Sequence, residues 1–306
     1  MWSMVESPRS LGQTLRIHRS GVGDPTIRIE PGQFLRGALT PDGPGTLLLR
    51  WTSDPATPAA AGVTAEAWGP GASWLLARVD ALTGEHDRPV EFADAHVAVE
   101  RSLRLTRSTR LGASGDLYHQ LLPTILAQRI TAGEAVRQWA RLCHELGEPA
   151  PGPVDVTRGL RLPPAPASLH RRPAWWFHPL GIESKRALAL TEVARHADKL
   201  WSWAEAGPSV AAERLALLPG VGPWTIGSVL GPCLGDADAV PVGDYHFPNI
   251  VAWALAREPR ADDARMLDLL APYAGQRGRV LRALVSVAGS APSFGPRRRI
   301  LPMARW

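Results

Sequence analysis

Cysteine is nearly absent from this chain. Cys143 and Cys233 are its only two, too few for a disulfide framework or for a four-cysteine metal or iron–sulfur site. A reducing, cytoplasmic compartment is the simple expectation. Lysine is as scarce: Lys185 and Lys199 stand alone, which leaves few side-chain amines to serve as nucleophiles. No apolar run approaches the roughly 18 residues that a membrane-spanning helix needs. The N-terminal stretch MWSMVESPRSLGQ lacks the basic-then-apolar order of a signal peptide, so no membrane partner is expected. No self-similarity appears at a solenoid period.

What is present is the composition of a folded protein. The 306 residues are 45% apolar and 21% charged, enough for two domains or one large one. A net charge of +5 and a pI of 9.8 suit a polyanionic partner. The abundance of arginine and alanine also has a bland source, a GC-rich bacterial genome. Arg297, Arg298 and Arg299 near the C-terminus read as a solvated end.

Residues 12–52 alternate apolar and polar positions (TLRIHRS, TIRIE, QFLRGALT, GTLLLRW) between Gly-Asp-Pro and Pro-Asp-Gly-Pro-Gly turns. That pattern predicts strands and hairpins, with VTAEAWGP at 63–70 as one more strand. A helix is expected over 72–82, where Trp74, Leu75, Val79 and Leu82 share a face. From about residue 114 the pattern turns helical, in LYHQLLPTILAQRI and AGEAVRQWARLCHELG. Residues 149–173 are proline-rich but punctuated by Leu160 and Leu162, which predicts an irregular crossover packed on something. More helices follow over 183–206, near 248–257 and over 262–288, with a loop at 231–243. The expected division is 1–110 for a sheet-bearing unit and 111–306 for a helical one.

Residues 218–225 read Leu-Pro-Gly-Val-Gly-Pro-Trp-Thr, and Asp244 follows Gly222 by 22 positions. Gly220 and Gly222 are able to take the positive φ of a tight hairpin, and Pro223 suits the first turn of a helix. The expected product is a glycine turn opening a helix, its amides and positive dipole end free to hold a phosphate. A plain helix-turn-helix connection has the same glycines. Asp244, in PVGDYHFPN, is by itself an ordinary N-cap. Asp236 and Asp238 read as turn formers.

The longer string LALLPGVGPWT resembles the helix-hairpin-helix motif of DNA glycosylases, ligases and excision nucleases. With Asp244 and the intervening loop GPCLGDADAVPVGD, the chain resembles the HhH-GPD superfamily of base-excision DNA glycosylases. The resemblance implies an α+β protein, with a small N-terminal antiparallel β/α domain followed by an all-α helix-hairpin-helix core. It implies double-stranded DNA as partner, a monomer, and no organic cofactor. It also implies no metal held by side chains, although hairpins of this family hold a monovalent cation on backbone carbonyls. Gly220, Val221, Gly222, Trp224 and Thr225 would lie against DNA phosphate without reading sequence.

Asp244 would then be the catalytic acid. Cleaving an N-glycosidic bond builds positive charge on the sugar, and a carboxylate facing C1′ stabilises it and orients water. Lyase-type members carry a lysine just after the hairpin, where this chain has Trp224, so monofunctional hydrolysis is expected. Trp224 and the PWT string resemble the 3-methyladenine DNA glycosylase II branch. Its aromatic walls would receive a flipped, cationic alkylpurine such as 3-methyladenine or 7-methylguanine.

By that resemblance the base pocket draws on Trp224, Gln128, Tyr118, Trp176, His178 and Tyr245, with core packing as the ordinary alternative for each aromatic. TILAQRITAGEAVRQW is similar to the family segment that enters the duplex, placing Gln128 towards the lesion and Arg129 at the wedge position. An arginine there departs from the apolar wedges such enzymes often use, and a phosphate contact is its alternative. PLGIESKRALALTEVA resembles a scaffold helix of the family. Ser228, Leu284 and Val285 stand where branch members carry further aromatics. Competing functions are a non-catalytic DNA-binding protein, a glycosylase for hypoxanthine or a mismatched pyrimidine, and a strand-cutting lyase.

Overall fold

A computed structural model describes residues 10–52 and 62–287; the first residues and the Arg297–Arg299 tail lie outside these. The alternating N-terminal pattern folds as a four-stranded antiparallel meander. Its strands are β1 (Ile27–Glu30), β2 (Gln33–Thr40), β3 (Gly43–Trp51) and β4 (Val63–Trp68), in that spatial order. The β2–β3 register sets Phe34 opposite Leu49 and Leu35 opposite Leu48, so neighbouring residues feed opposite faces.

Both faces are covered. On one, Phe34, Ala38, Leu47 and Leu49 pack with α1 (Leu11–Arg16), α2 (Ala72–Leu76) and α3 (Val79–Leu82) through Leu15, Trp74, Leu75 and Leu82. On the other, Leu35 and Leu48 meet Leu160 and Leu162 of the crossover. The approach is so close that a Cβ on Gly37 would sit 2.6 Å from the Arg161 carbonyl oxygen.

Two elements differ from expectation. The first of the alternating strings, TLRIHRS, contributes to α1 instead of a strand, because Leu11, Thr14 and Leu15 bury one helical face. The helix expected over 72–82 is broken at Arg78, whose guanidinium lies 3.7 Å over the Trp74 ring.

After α4 (Val97–Leu105) come α5 (Leu117–Leu126) and α6 (Ala132–Leu146), the latter opened by Thr131, whose side chain accepts from the Glu134 amide. Short helices α7 (Val154–Thr157) and α8 (Pro166–Leu169) interrupt the crossover, and a 3-10 helix spans Ala174–Leu180. The chain continues through α9 (Ser184–Arg195), α10 (Ala197–Glu205), α11 (Pro208–Leu215) and α12 (Pro223–Leu234). It ends with α13 (Phe247–Ala256), α14 (Asp263–Leu270) and α15 (Arg277–Val287).

The main helical core joins α5, α6 and α9–α12. A second cluster packs Val99 of α4 among Val251, Met266 and Leu281 of the last helices, so α4 sits with elements far beyond residue 110. No helix among the described residues is long and apolar enough to cross a membrane.

Sheet and helices are joined by buried polar groups. Arg36 of β2 donates to Asp116 Oδ2 at 2.8 Å, and Asp116 caps α5 by accepting from the His119 amide at 3.0 Å. The His119 ring meets Thr26 Oγ1 at 2.9 Å, and Trp139 of α6 donates to Asp24 at 3.0 Å. A buried charge is tolerated only when paired in this way.

Candidate functional site

The turn between α11 and α12 is a glycine hairpin, but its two glycines do different jobs. Gly220 has φ 84°, and a Cβ there would lie 2.6 Å from the Cβ of Ala189 on α9. Left-handed backbone and close approach together require glycine. Gly222, expected to share the positive φ, is instead an extended N-cap at φ −100° and ψ −177° with open space around it. As the residue before Pro223, it is steered away from helical dihedrals.

Pro223 opens α12, and no acceptor meets the amides of Gly222, Trp224 or Thr225 among the described residues. These donors and the positive end of the α12 dipole point the same way, the arrangement that suits an anion. Gly222 and Pro223 are exposed, Trp224 is half-buried and Thr225 is buried. Val221, expected among the phosphate-facing residues, is buried in the core, and its amide is already spent on the Leu218 carbonyl. It shapes the turn from beneath.

Asp244 lies directly against this helix start. Gly243 before it has φ 95° and donates to Asp263 at 3.0 Å. Asp244 Oδ1 accepts from the amides of His246 (2.8 Å) and Phe247 (3.0 Å), capping the entry to α13. Oδ2 accepts from the Trp224 indole N–H at 3.0 Å. The side chain therefore serves as a cap and joins the hairpin helix at once. It is half-buried and has no salt bridge among the described residues. Asp238 instead pairs with Arg277, whose Nε donates at 2.9 Å, and Asp236 accepts from the Asp238 amide at 2.8 Å. Both hold the loop.

Gln128 was expected to face the lesion. Its amide nitrogen is spent on the hairpin, donating to Gly220 O and Thr225 Oγ1, both at 2.9 Å. Next to it, exposed Arg129 has φ 59°, one of two non-glycine residues in the left-handed region among those described. A non-glycine residue there is held by its surroundings at a cost. The loop between α5 and α6 is thus fastened to the hairpin at Gln128 and turned outward at Arg129. Arg186 secures it from below, donating to Leu126 O at 2.8 Å and to Gln138 Oε1 at 2.6 Å.

The remaining pocket candidates divide. Tyr118 is 1% exposed in the helical core, and its hydroxyl donates to Pro164 O at 2.8 Å. It ties α5 to the crossover, which removes it from the pocket. Trp176 and His178 lie on the 3-10 helix: Trp176 packs on the core under Arg172, and His178 meets Ser184 Oγ at 3.1 Å. Neither contacts Trp224 or Asp244 through a hydrogen bond or ring pair among the described residues. Tyr245 adjoins the carboxylate in sequence, is 80% exposed, and stands edge-on to His246.

Ser228 turns back on its own helix, donating to Trp224 O at 2.7 Å. Leu284 is buried in the second cluster, with Val285 packed against that cluster. A cleft of about 490 Å³ lies elsewhere, at the C-terminal end of α12 between Arg78, Asp87, Leu234 and Arg279. The Trp224–Asp244 pair is defined by its contacts, not by that cavity.

Three solved structures share this architecture. The 3-methyladenine DNA glycosylase of Archaeoglobus fulgidus superposes with a TM-score of 0.69 at 16% identity, over 93% of this chain and 97% of that one. The 8-oxoguanine glycosylase/lyase of Clostridium acetobutylicum, bound to double-stranded DNA with cytosine opposite 8-oxoguanine, gives 0.59 at 12% identity, over 84% and 95%. Its apo-form gives 0.56 at the same identity, over 84% and 97%. No family model and no curated protein sequence matches the chain.

The fold is the one these solved DNA glycosylases share, and the α+β expectation, sheet first and helices after, holds.

Proposed function

We infer that this chain is a monofunctional DNA glycosylase of base-excision repair, which flips an alkylated purine out of duplex DNA and hydrolyses its glycosidic bond. One observation carries the reading: the Asp244 carboxylate is bonded to the first turn of the helix whose free amides form an anion grip. A phosphate held at those amides brings its deoxyribose to the neighbourhood of Oδ2. As the C1′–N bond lengthens, positive charge grows on the sugar, and a fixed carboxylate beside it lowers the barrier. The cationic alkylpurine leaves as the neutral base with the electron pair of the broken bond, while water adds its hydroxide to C1′ and gives its proton to the carboxylate and on to solvent.

The amine inventory supports hydrolysis over lyase chemistry. Trp224 occupies the place after Pro223, while Lys185 and Lys199 lie on α9 and α10. Trp224 offers a π face to an electron-poor base, and exposed Tyr245 is the second aromatic near the carboxylate. Arg129, carried outward by its left-handed backbone, is the residue to enter the duplex; its planar guanidinium is able to stack. Gln128 positions that loop against the grip through its amide nitrogen.

The deciding experiment incubates the protein with duplexes carrying 3-methyladenine, 7-methylguanine, hypoxanthine or a mismatched pyrimidine and identifies freed bases by mass spectrometry. Alkylpurines should be released by the wild type, and Asp244→Asn should lose release while keeping affinity for an abasic duplex. The engagement of both carboxylate oxygens favours one rival, a DNA-binding protein in which Asp244 is only a cap. Wild type inert on every lesion would establish that rival.

A further inference from the structure

Among the tryptophans of the described residues, Trp175 alone is largely exposed, at 70%. Others have visible employment. Trp74 and Trp201 pair edge-on, Trp139 is core, Trp203 lies near His196, and Trp224 holds Asp244. Trp176, beside it, packs on Phe177 and carries Arg172 at 4.6 Å over its ring. Trp175 makes no such ring contact among the described residues.

It stands on a stiff support. Pro173 precedes the 3-10 helix, Pro179 lies within it, and Gly181 closes it at φ 80°. Gln138 then donates to Gly181 O at 2.6 Å.

The segment itself carries more cations than acids, although Glu134 of α6 lies against Gly181 at its end. Arg171, Arg172 and His178 are exposed on the same segment, and Lys185 is exposed in the first turn of α9. Between His170 and Thr191 the only acid is Glu183. This basic stretch runs into the phosphate grip, because His178 is bonded to Ser184 at the start of α9 and Ala189 of α9 lies beneath Gly220. The rise from Ser184 to Ala189 is roughly 8 Å. A ring held out in water among arginines is the arrangement that takes an unstacked base while cations meet its backbone.

We propose that the segment Arg171–His178 binds single-stranded DNA flanking the duplex held at the hairpin, with Trp175 stacking on an unpaired base and Arg171, Arg172 and Lys185 meeting phosphates. This rests on the reading that the hairpin grips DNA, but not on base release. The occupant is a strand end or gap, since bases inside an intact duplex present no free face.

The test compares the full-length protein on a blunt duplex and on the same duplex with a single-stranded tail, by fluorescence anisotropy across a salt series. The tail should tighten wild-type binding. Trp175→Ala should weaken tailed binding at least fivefold and blunt binding less than twofold, and Trp175→Phe should retain most of the tail's gain. Arg171→Ala should lower the salt slope on tailed DNA by about 0.7. No gain from the tail in wild type, or equal losses on both substrates for Trp175→Ala, overturns the proposal. Absence of base release from methylated DNA by wild type, with tail binding intact, defeats the glycosylase reading alone.

Discussion

The carboxylate of Asp244 divides its oxygens between the α13 amides and the Trp224 indole. Asparagine keeps one oxygen for the α13 amides but removes the charge and turns an amide nitrogen, which cannot accept, towards the Trp224 indole N–H. Single-turnover base release from Asp244→Asn should fall by about 10²–10³, the magnitude typical when one electrostatic stabiliser is removed, while stability falls only by the worth of the lost indole bond, about 1 kcal/mol. A fall in melting temperature with base release unchanged would make the residue a cap only.

Gln128 yields a sharper residue-scale expectation. Thr225→Val deletes one acceptor without changing shape, and Gln128→Ala deletes the donor. Each should slow base release at least tenfold while affinity for undamaged duplex stays within about twofold, and the double variant should lose less than the product of the two. Full additivity would mean that the bond between them does nothing for the reaction. Gln128 and its hairpin partners are separated by 92 and 97 positions, so no local spacing could have exposed the contact, although both motifs were visible.

At the scale of elements, the hairpin depends on one glycine more than the other. Gly220→Ala forces a Cβ into Ala189 at a left-handed position and should cost about 1–3 kcal/mol, read as a lower melting temperature with weakened DNA affinity. Gly222→Ala, at extended dihedrals with free space, should cost well under half of that. Sequence periodicity found the meander, the crossover under Leu160 and Leu162, and the helices of the core. It misplaced α1 because TLRIHRS is too short to separate a two-residue from a three-to-four-residue repeat. It also began the 231–243 loop too early: α12 runs on to Leu234 through Pro232 and stops at Gly235, φ 70°. Tyr118 looked like a pocket wall because aromatic identity carries no direction; its partner, Pro164, is 46 positions away.

On the scale of the whole molecule, a seam of buried titratable groups ties the sheet to the helices. His18 is buried with both ring nitrogens unpartnered among the described residues, and burial first, then the nearby Arg36 charge, pushes its pKa down to about 3. His119 is lowered well below its usual value, by burial, then Arg36, then His18. In the unfolded chain each takes up a proton near pH 6.5, so the folded state binds fewer protons. For His18, stability is then complete above pH 6.5 and is lost as pH falls from there towards 3, by about 1.4 kcal/mol per pH unit; His119 adds a loss of the same sign. Asp116, raised by burial against the pull of Arg36, works in the opposite direction and blunts the fall.

Melting temperature measured from pH 8 to 4 should therefore drop on the acid side, and His18→Leu should flatten the drop. An unchanged acid limb in that variant would exclude His18 as a source. Neutral pH stability should survive the change, because the imidazole loses no hydrogen bond.

Both thiols are sealed inside the protein, Cys143 in the main core and Cys233 beneath the Asp116 carbonyl. Burial, reinforced by Asp24 for Cys143 and by Asp116 for Cys233, pushes both far towards the unreactive protonated form. A disulfide-exchange dye should find no free sulfur in the native protein and two per chain in denaturant. Any cysteine engineered onto the surface would then be the sole handle for a maleimide fluorophore, so a label at the α5–α6 loop would report whether that loop enters a DNA stack, without removal of either natural thiol.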